Sequence, residues 1–159
     1  MGKLVSQEEI IKIVRTGQSN GKTFVVTNGC FDILHVGHVR YLQKTKGCAD
    51  YSIIMLNSDK SVKMLKGESR PINNQNDRAE ILNALSCVDY VVLFEEKSPA
   101  SLLEKIKPDF YTKGGDYTIE TFPEREVVLK CNIKVRFIDF VEGKSTTKII
   151  NKINKINNN

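Results

Sequence analysis

Two histidines, His35 and His38, are the only ones in this 159-residue chain, and they stand three residues apart in NGCFDILHVGH. A spacing of i and i+3 puts both imidazoles on one face of a helix turn, if the helix begins near residue 35. Gly37 between them removes a Cβ that would keep a ligand off the backbone, and Leu34, Val36 and Val39 can anchor the turn. Two imidazoles beside a helix N-terminus favour anions. Metal binding would need a further ligand at a recognisable spacing, and none is offered. Plain helix capping is the bland alternative. Stabilising charge on a phosphate under attack is the strongest reading.

The surrounding elements are those of a doubly wound α/β sheet. Ser6 and Glu9 form a capping box, which predicts a helix over 7–16 that stops near Gly17. The apolar, β-branched runs at 23–29, 51–59, 89–94, 109–115 and 133–140 predict five strands. Between them, helices are expected at 36–47, 73–86 and 99–106, after Pro123, and at 145–156. Strand–helix alternation of this length means a parallel sheet with helices on both faces. The expectation is one domain over 1–159, with an N-terminal helix and turn (1–20) and a C-terminal helix and tail (144–159). In such sheets ligands sit beyond the carboxyl ends of the strands, where the strand order reverses. Those ends read Asn28-Gly29-Cys30, Asn57-Ser58-Asp59 and Lys113-Gly114-Gly115-Asp116.

Two apparent nucleotide motifs fail. GQSNGKT (17–23) has three residues between its glycines where a P-loop has four, and it precedes a strand. There is also no G-x-G-x-x-G. Cys30, Cys48, Cys87 and Cys131 are scattered, which argues against a zinc knuckle or a disulfide framework and suits reduced cytosolic thiols. The net charge of +5 owes much to KSTTKIINKINKINNN, and no aromatic-interleaved basic patch marks a nucleic-acid reader. No run approaches the length of a membrane span. A small phosphorylated ligand, in the cytoplasm, is the economical reading.

Here the motifs meet a family. His35-Val36-Gly37-His38 resembles the H-x-G-H signature of the nucleotidyltransferase superfamily related to class I aminoacyl-tRNA synthetases, and Ser145-Thr146-Thr147-Lys148-Ile149-Ile150 resembles its second signature. NGCFDILHVGHVRYL, LKGESRP, DRAEIL, VDYVV, PDFYTKGGDY and EGKSTTKII together are similar to the heptose 1-phosphate adenylyltransferases, a unit that in many bacteria is fused behind a sugar kinase. The resemblance implies a Rossmann-like fold and a stand-alone enzyme that joins ATP and D-glycero-D-manno-heptose 1-phosphate into ADP-heptose and pyrophosphate for surface polysaccharide. It also implies Mg²⁺ carried largely by ATP, and a homodimer. A cytidylyltransferase acting on glycerol 3-phosphate or a related polyol phosphate shares both signatures.

On that reading His35 and His38 donate to the α-phosphate, as do the backbone N–H groups of Cys30 and Phe31, which Gly29 lets approach. Lys44, two turns on, could reach the triphosphate. Ser145, Thr146 and Thr147 would receive the β- and γ-phosphates at a helix start, with N-capping as their ordinary role. Asp32 is the nearest carboxylate to the metal, or equally a structural acceptor. Lys66 and Arg70, on the basic loop 63–71, would meet substrate phosphates. Arg78 could clamp a phosphate or pair with Asp77 or Glu80. Asn57 ends a strand at the site. Lys113, Gly114, Gly115 and Asp116 form the most substrate-like stretch, although Lys113 could merely cover the sheet edge. Lys144, before Ser145, and Cys131-Asn132 depart from the family pattern.

Overall fold

A computed structural model describes residues 1–115, 117–139 and 143–157. Six parallel strands alternate with helices. They are β1 Lys3–Val5, β2 Phe24–Gly29, β3 Tyr51–Asn57, β4 Tyr90–Phe94, β5 Phe110–Gly114 and β6 Lys134–Ile138. The helices are α1 Gln7–Ser19, α2 Val36–Lys46, α3 Asp59–Lys66, α4 Gln75–Asn83, α5 Ala100–Ile106, α6 Arg125–Lys130 and α7 Thr146–Asn157.

The sheet order is β1-β4-β3-β2-β5-β6. From β2 the chain winds outward through β3 to β4, then returns to the other side of β2 with β5 and β6. The topological switch point therefore lies between β2 and β5, and the doubly wound expectation holds.

Strand alternation divides the core between the two faces. Ile53 and Met55 of β3 point into a layer with Ile10, Val14, Leu103 and Val128, beneath α1, α5 and α6. Ile54 and Leu56 point the opposite way, onto Tyr41, Leu42, Ala79 and Leu82 of α2 and α4. All four β3 residues are fully buried. Sheets covered on both faces give continuous apolar runs of this kind.

Three expectations need correction. The five-strand count missed β1, a three-residue edge strand whose Leu4 pairs with Val91 of β4; three residues are too few to show a period. Gly17 does not stop α1, which runs to Ser19. Its Cα packs so closely on Phe24 that an added Cβ would lie 2.4 Å from the ring, so glycine is there for packing. Finally, the basic stretch 63–71 is not wholly a loop. Ser58 caps α3, which carries Lys63 and Lys66, and Gly67 then turns the chain at φ +92.

Candidate functional site

The H-x-G-H segment builds its own helix start. His35 is the N-cap of α2, in extended backbone, and its Nδ1 accepts from the Gly37 N–H at 3.1 Å. His38 Nδ1 in turn accepts from the His35 N–H at 3.4 Å. The two side chains thus form a capping box made of imidazoles. Since Nδ1 is the acceptor in each ring, the proton sits on Nε2, which is left for the cavity both residues line. Capping, one of the alternatives read from sequence, occupies only Nδ1 of each ring and so does not compete with phosphate chemistry at Nε2.

Two glycines serve this arrangement by giving room to rings rather than to ligand. A Cβ on Gly37 would lie 2.9 Å from the His35 imidazole, and one on Gly29 would lie 2.8 Å from the Phe31 ring. Phe31 itself adopts φ +44, a strained value for a bulky residue. It is buried, and its ring sits 5.3 Å from that of His38. The backbone pays this cost at the switch point, where Phe31 backs the second histidine.

Behind α2, a hydroxyl network ties the helix to the sheet. Thr27 Oγ1 and Tyr41 Oη lie 2.8 Å apart, Tyr41 donates to Thr112 Oγ1 at 3.3 Å, and Thr45 Oγ1 lies 3.0 Å from Thr112 Oγ1. All four residues are buried. One helix is thereby locked to β2 and β5, the two strands that flank the switch point.

Neutral rings are favoured at both histidines. Burial, with His35 next to it, holds His38 down to about 4. Burial and the neighbouring Lys144 also lower His35. At neutral pH both are uncharged Nε2–H donors.

Two cavities meet at these residues. The first, about 500 Å³, is walled by Asn28, His35, Tyr41, Gly114, Tyr117 and the 143–146 segment. The second, about 670 Å³, is walled by Lys66, Arg70, Asn57, Lys97, Ser98, Glu124 and Thr147. Asn28, Gly29, Cys30, Phe31, His38, Lys113, Tyr117 and Thr146 belong to both. Burial raises the Cys30 thiol, which stays protonated and fits the role of a small filler.

Several sequence candidates are committed to the scaffold. Asp32, 3% exposed, accepts from Arg70 Nε at 2.6 Å and from the backbone N–H groups of Ile72 and Asn73 at 2.8 and 2.9 Å. Burial pushes its carboxyl up, but those donors outweigh burial and hold it below the usual range. No oxygen is left over for a metal, and among the described residues no His, Cys, Asp and Glu cluster could hold one.

Arg78 is buried and caps strand ends. It donates to the carbonyls of Cys30, Asn57 and Asn73 at 2.6, 2.8 and 3.0 Å, and its Nη2 pairs with Asp59 rather than with Asp77 or Glu80. It holds the ends of β2 and β3 together and faces neither cavity. Asn57 is buried as well and donates to Ser61 at 2.8 Å.

Lys44 is exposed and outside both cavity walls. Six residues beyond His38 it lies roughly 240° around the helix, which turns it away. The space above Gly115 is taken by Asp139, 2.6 Å from where a Cβ would be, so that glycine serves the β5–β6 contact. Asp116 lies outside the described residues.

The Ser-Thr cluster divides its labour. Ser145 Oγ accepts from the Lys148 N–H at 3.1 Å as a cap, and Thr146 Oγ1 donates to the Ile33 carbonyl at 2.9 Å, which fastens α7 to the histidine loop. The Thr147 hydroxyl makes no hydrogen bond among the described residues and sits in the second cavity wall. Sequence reasoning missed Lys97, Tyr117 and Glu124 as wall residues. Tyr117 closes the PDFYTKGGDY motif but was passed over there, while Lys97 and Glu124 lie outside recognisable motifs and only the fold brings them in. Lys144 also enters the wall of the first cavity.

Residues 26–152 match the cytidylyltransferase-like family. The chain belongs to that family. The match takes in β2 from Val26 onward, all of β3–β6 and both signatures. Curated relatives include the bifunctional protein HldE of Campylobacter fetus and that of Wolinella succinogenes, each 51% identical over 95% of this chain. The chain spans 31% of the length of those relatives. A crystal structure of the lipopolysaccharide core biosynthesis protein from Thermoplasma volcanium is 29% identical, with a TM-score of 0.61 over 78% of this chain and all of that one. The pantoate-beta-alanine ligase of Francisella tularensis shares the fold at 16% identity and a TM-score of 0.61, covering all of this chain and 80% of its own. As a cytidylyltransferase-like protein the chain is a nucleotidyltransferase, with its signatures gathered at the switch point.

Proposed function

We propose that the chain transfers AMP from ATP to D-glycero-D-manno-heptose 1-phosphate and releases pyrophosphate. The observation that carries the reaction type is the pair of neutral imidazoles at the seam of two cavities. One cavity carries the Ser145–Thr146 helix start and the other carries Lys66, Arg70 and Lys97. The choice of acceptor is supported by the LKGESRP and TKGGDY motifs. It is supported also by 46–51% identity to bifunctional proteins over about a third of their length. That is the relation expected of a transferase unit fused to a kinase.

In this reading the first cavity takes the nucleotide. Its α-phosphate lies near Gly29–Phe31 and receives hydrogen bonds from His35 and His38 Nε2–H, while the N-terminus of α7 receives the outer phosphates, which extend to Thr147 in the adjoining wall of the second cavity. The second cavity takes the sugar phosphate. An oxygen of that phosphate attacks the α-phosphorus in line, and the bond to the pyrophosphate oxygen breaks. No covalent enzyme intermediate is needed, so the protein orients the two anions and neutralises charge as it shifts. Mg²⁺ would supply further charge neutralisation and would be held by phosphate and water, because Asp32 is already committed. Action in the cytoplasm and as a homodimer belongs to the same proposal.

The test is pyrophosphate release with Mg²⁺ over four nucleoside triphosphates against heptose 1-phosphate anomers and glycerol 3-phosphate. Release confined to ATP with a heptose 1-phosphate supports the proposal. Release with CTP and glycerol 3-phosphate keeps the reaction and overturns the substrate.

A further inference from the structure

Glu124 stands at the N-cap of α6, where a carboxylate ordinarily bonds the first free N–H groups of its helix. It makes no such bond. Its side chain is instead 3% exposed, in the wall of the second cavity, with both carboxyl oxygens 3.0 Å from Lys113 Nζ. Only Oε1 is hydrogen-bonded by that ammonium; Oε2 is buried with no hydrogen-bond partner. Lys113 is held on its other side by Asn28 Oδ1 at 3.2 Å and Tyr111 Oη at 3.3 Å. Tyr111 in turn donates to Asn28 at 2.5 Å. A buried charge with its counter-ion is compensated, but an acceptor oxygen without a donor is costly. A donor that arrives with a ligand at this cavity wall would satisfy it.

The sheet order says which part of a ligand that is. Lys66 and Arg70 follow β3 and Lys97 follows β4, on one side of β2, while Lys113 and Glu124 come from and after β5, on the other. The second cavity therefore has a cationic side, fit for phosphate, and a carboxylate side, fit for hydroxyl donors.

Resting on the function proposed above, we infer that Glu124 is a specificity-determining residue that accepts hydrogen bonds from hydroxyl groups of the acceptor sugar. Lys113 holds the carboxylate in place. The acceptor lies across β2, with its phosphate towards Lys66, Arg70 and Lys97 and its hydroxyl-bearing carbons towards β5. Such an acceptor carries several hydroxyls. A phosphate with few of them leaves Oε2 bare.

The experiment compares the wild type, Glu124→Gln and the double variant Glu124→Gln/Lys113→Met, using steady-state pyrophosphate release with ATP and heptose 1-phosphate, and thermal melting. Glu124→Gln keeps the side-chain shape but weakens the acceptor. The expected result is a KM for heptose 1-phosphate raised about tenfold or more, the scale of one hydrogen bond to a charged group, with KM for ATP within about twofold. An unchanged KM for the sugar phosphate overturns the inference, as does an equal rise for both substrates, the mark of a merely structural pair. If Glu124→Gln melts early because Lys113 is left unpaired, the double variant removes both charges together and is judged by the same ratio. If the wild type turns over another phosphate instead, the substrate proposal fails by itself, and the Glu124 comparison is made on that acceptor. If the wild type is silent, calorimetric titration of heptose 1-phosphate into wild type and Glu124→Gln replaces turnover; equal affinities, or no binding to either, overturn the inference.

Discussion

The His35 and His38 imidazoles stack with centroids 3.9 Å apart and planes 27° from parallel. Burial disfavours a proton on each ring, with His35 adding to this at His38 and Lys144 at His35, so folding favours the neutral forms. Both folded-state pKa values lie below the ordinary 6.5. As pH falls the unfolded chain takes up protons first, so the neutral pair's stability is complete above 6.5 and is lost between 6.5 and about 4. With only two histidines, a nitrogen-detected NMR titration reads each ring directly. His38 is expected to titrate near 4 and His35 below 6.5; two ordinary midpoints would refute the stacked geometry.

Removing one Nε2–H donor tests the proposed chemistry. His38→Ala is expected to lower kcat for pyrophosphate release by about 10²–10³, the range for one lost transition-state donor. The variant also loses the acceptor for the His35 N–H, so His38→Asn, which can restore an acceptor there, separates capping from catalysis. Recovery of Tm without recovery of kcat is the outcome expected.

Arg78 gives the opposite pattern. Replacement by Met strands three carbonyls and Asp59, and is expected to cost about 3 kcal/mol in urea unfolding, with KM values near wild type where protein remains folded. A selective rise in KM at unchanged stability would restore the phosphate-clamp reading.

Asp32 is the hub of the turn from Arg70 to Asn73. Asp32→Ala leaves Arg70 and two backbone N–H groups without their acceptor, and is expected to destabilise by about 3 kcal/mol or more. Excess Mg²⁺ should not restore the activity of Asp32→Asn. Metal rescue would show that the carboxylate binds the ion.

The three hydroxyls at the start of α7 separate in the same way. Ser145→Ala removes a cap and is expected to cost about 1 kcal/mol. Thr146→Val frees α7 from Ile33. Thr147→Val is expected to leave stability within about 0.5 kcal/mol, as a surface change does, while KM for ATP rises. Equal melting losses for all three would deny the division.

The sequence by itself determined the layers and the place of the site. Strands 51–57 and 90–94 are legible because a sheet covered on both faces needs unbroken apolar runs, and α1 because Ser6 and Glu9 are in contact with its own first turn. The H-x-G-H segment is legible for the same reason: both imidazoles bond backbone within three residues of themselves. Local interactions leave local signals. β1 left none, since its register is chosen by β4 at a distance of more than eighty residues. Tertiary structure alone decided which polar residues are spent and which are available. Arg70 and Arg78 read alike on paper, yet Arg78 is sealed under three carbonyls while Arg70 reaches a cavity wall. Glu124, in a segment that carries no motif, is buried against Lys113 only because the chain brings the N-cap of α6 to the end of β5. A side chain's charge is written in the sequence. Its partner, and hence what remains for a ligand, depends on packing between segments that the chain order keeps apart.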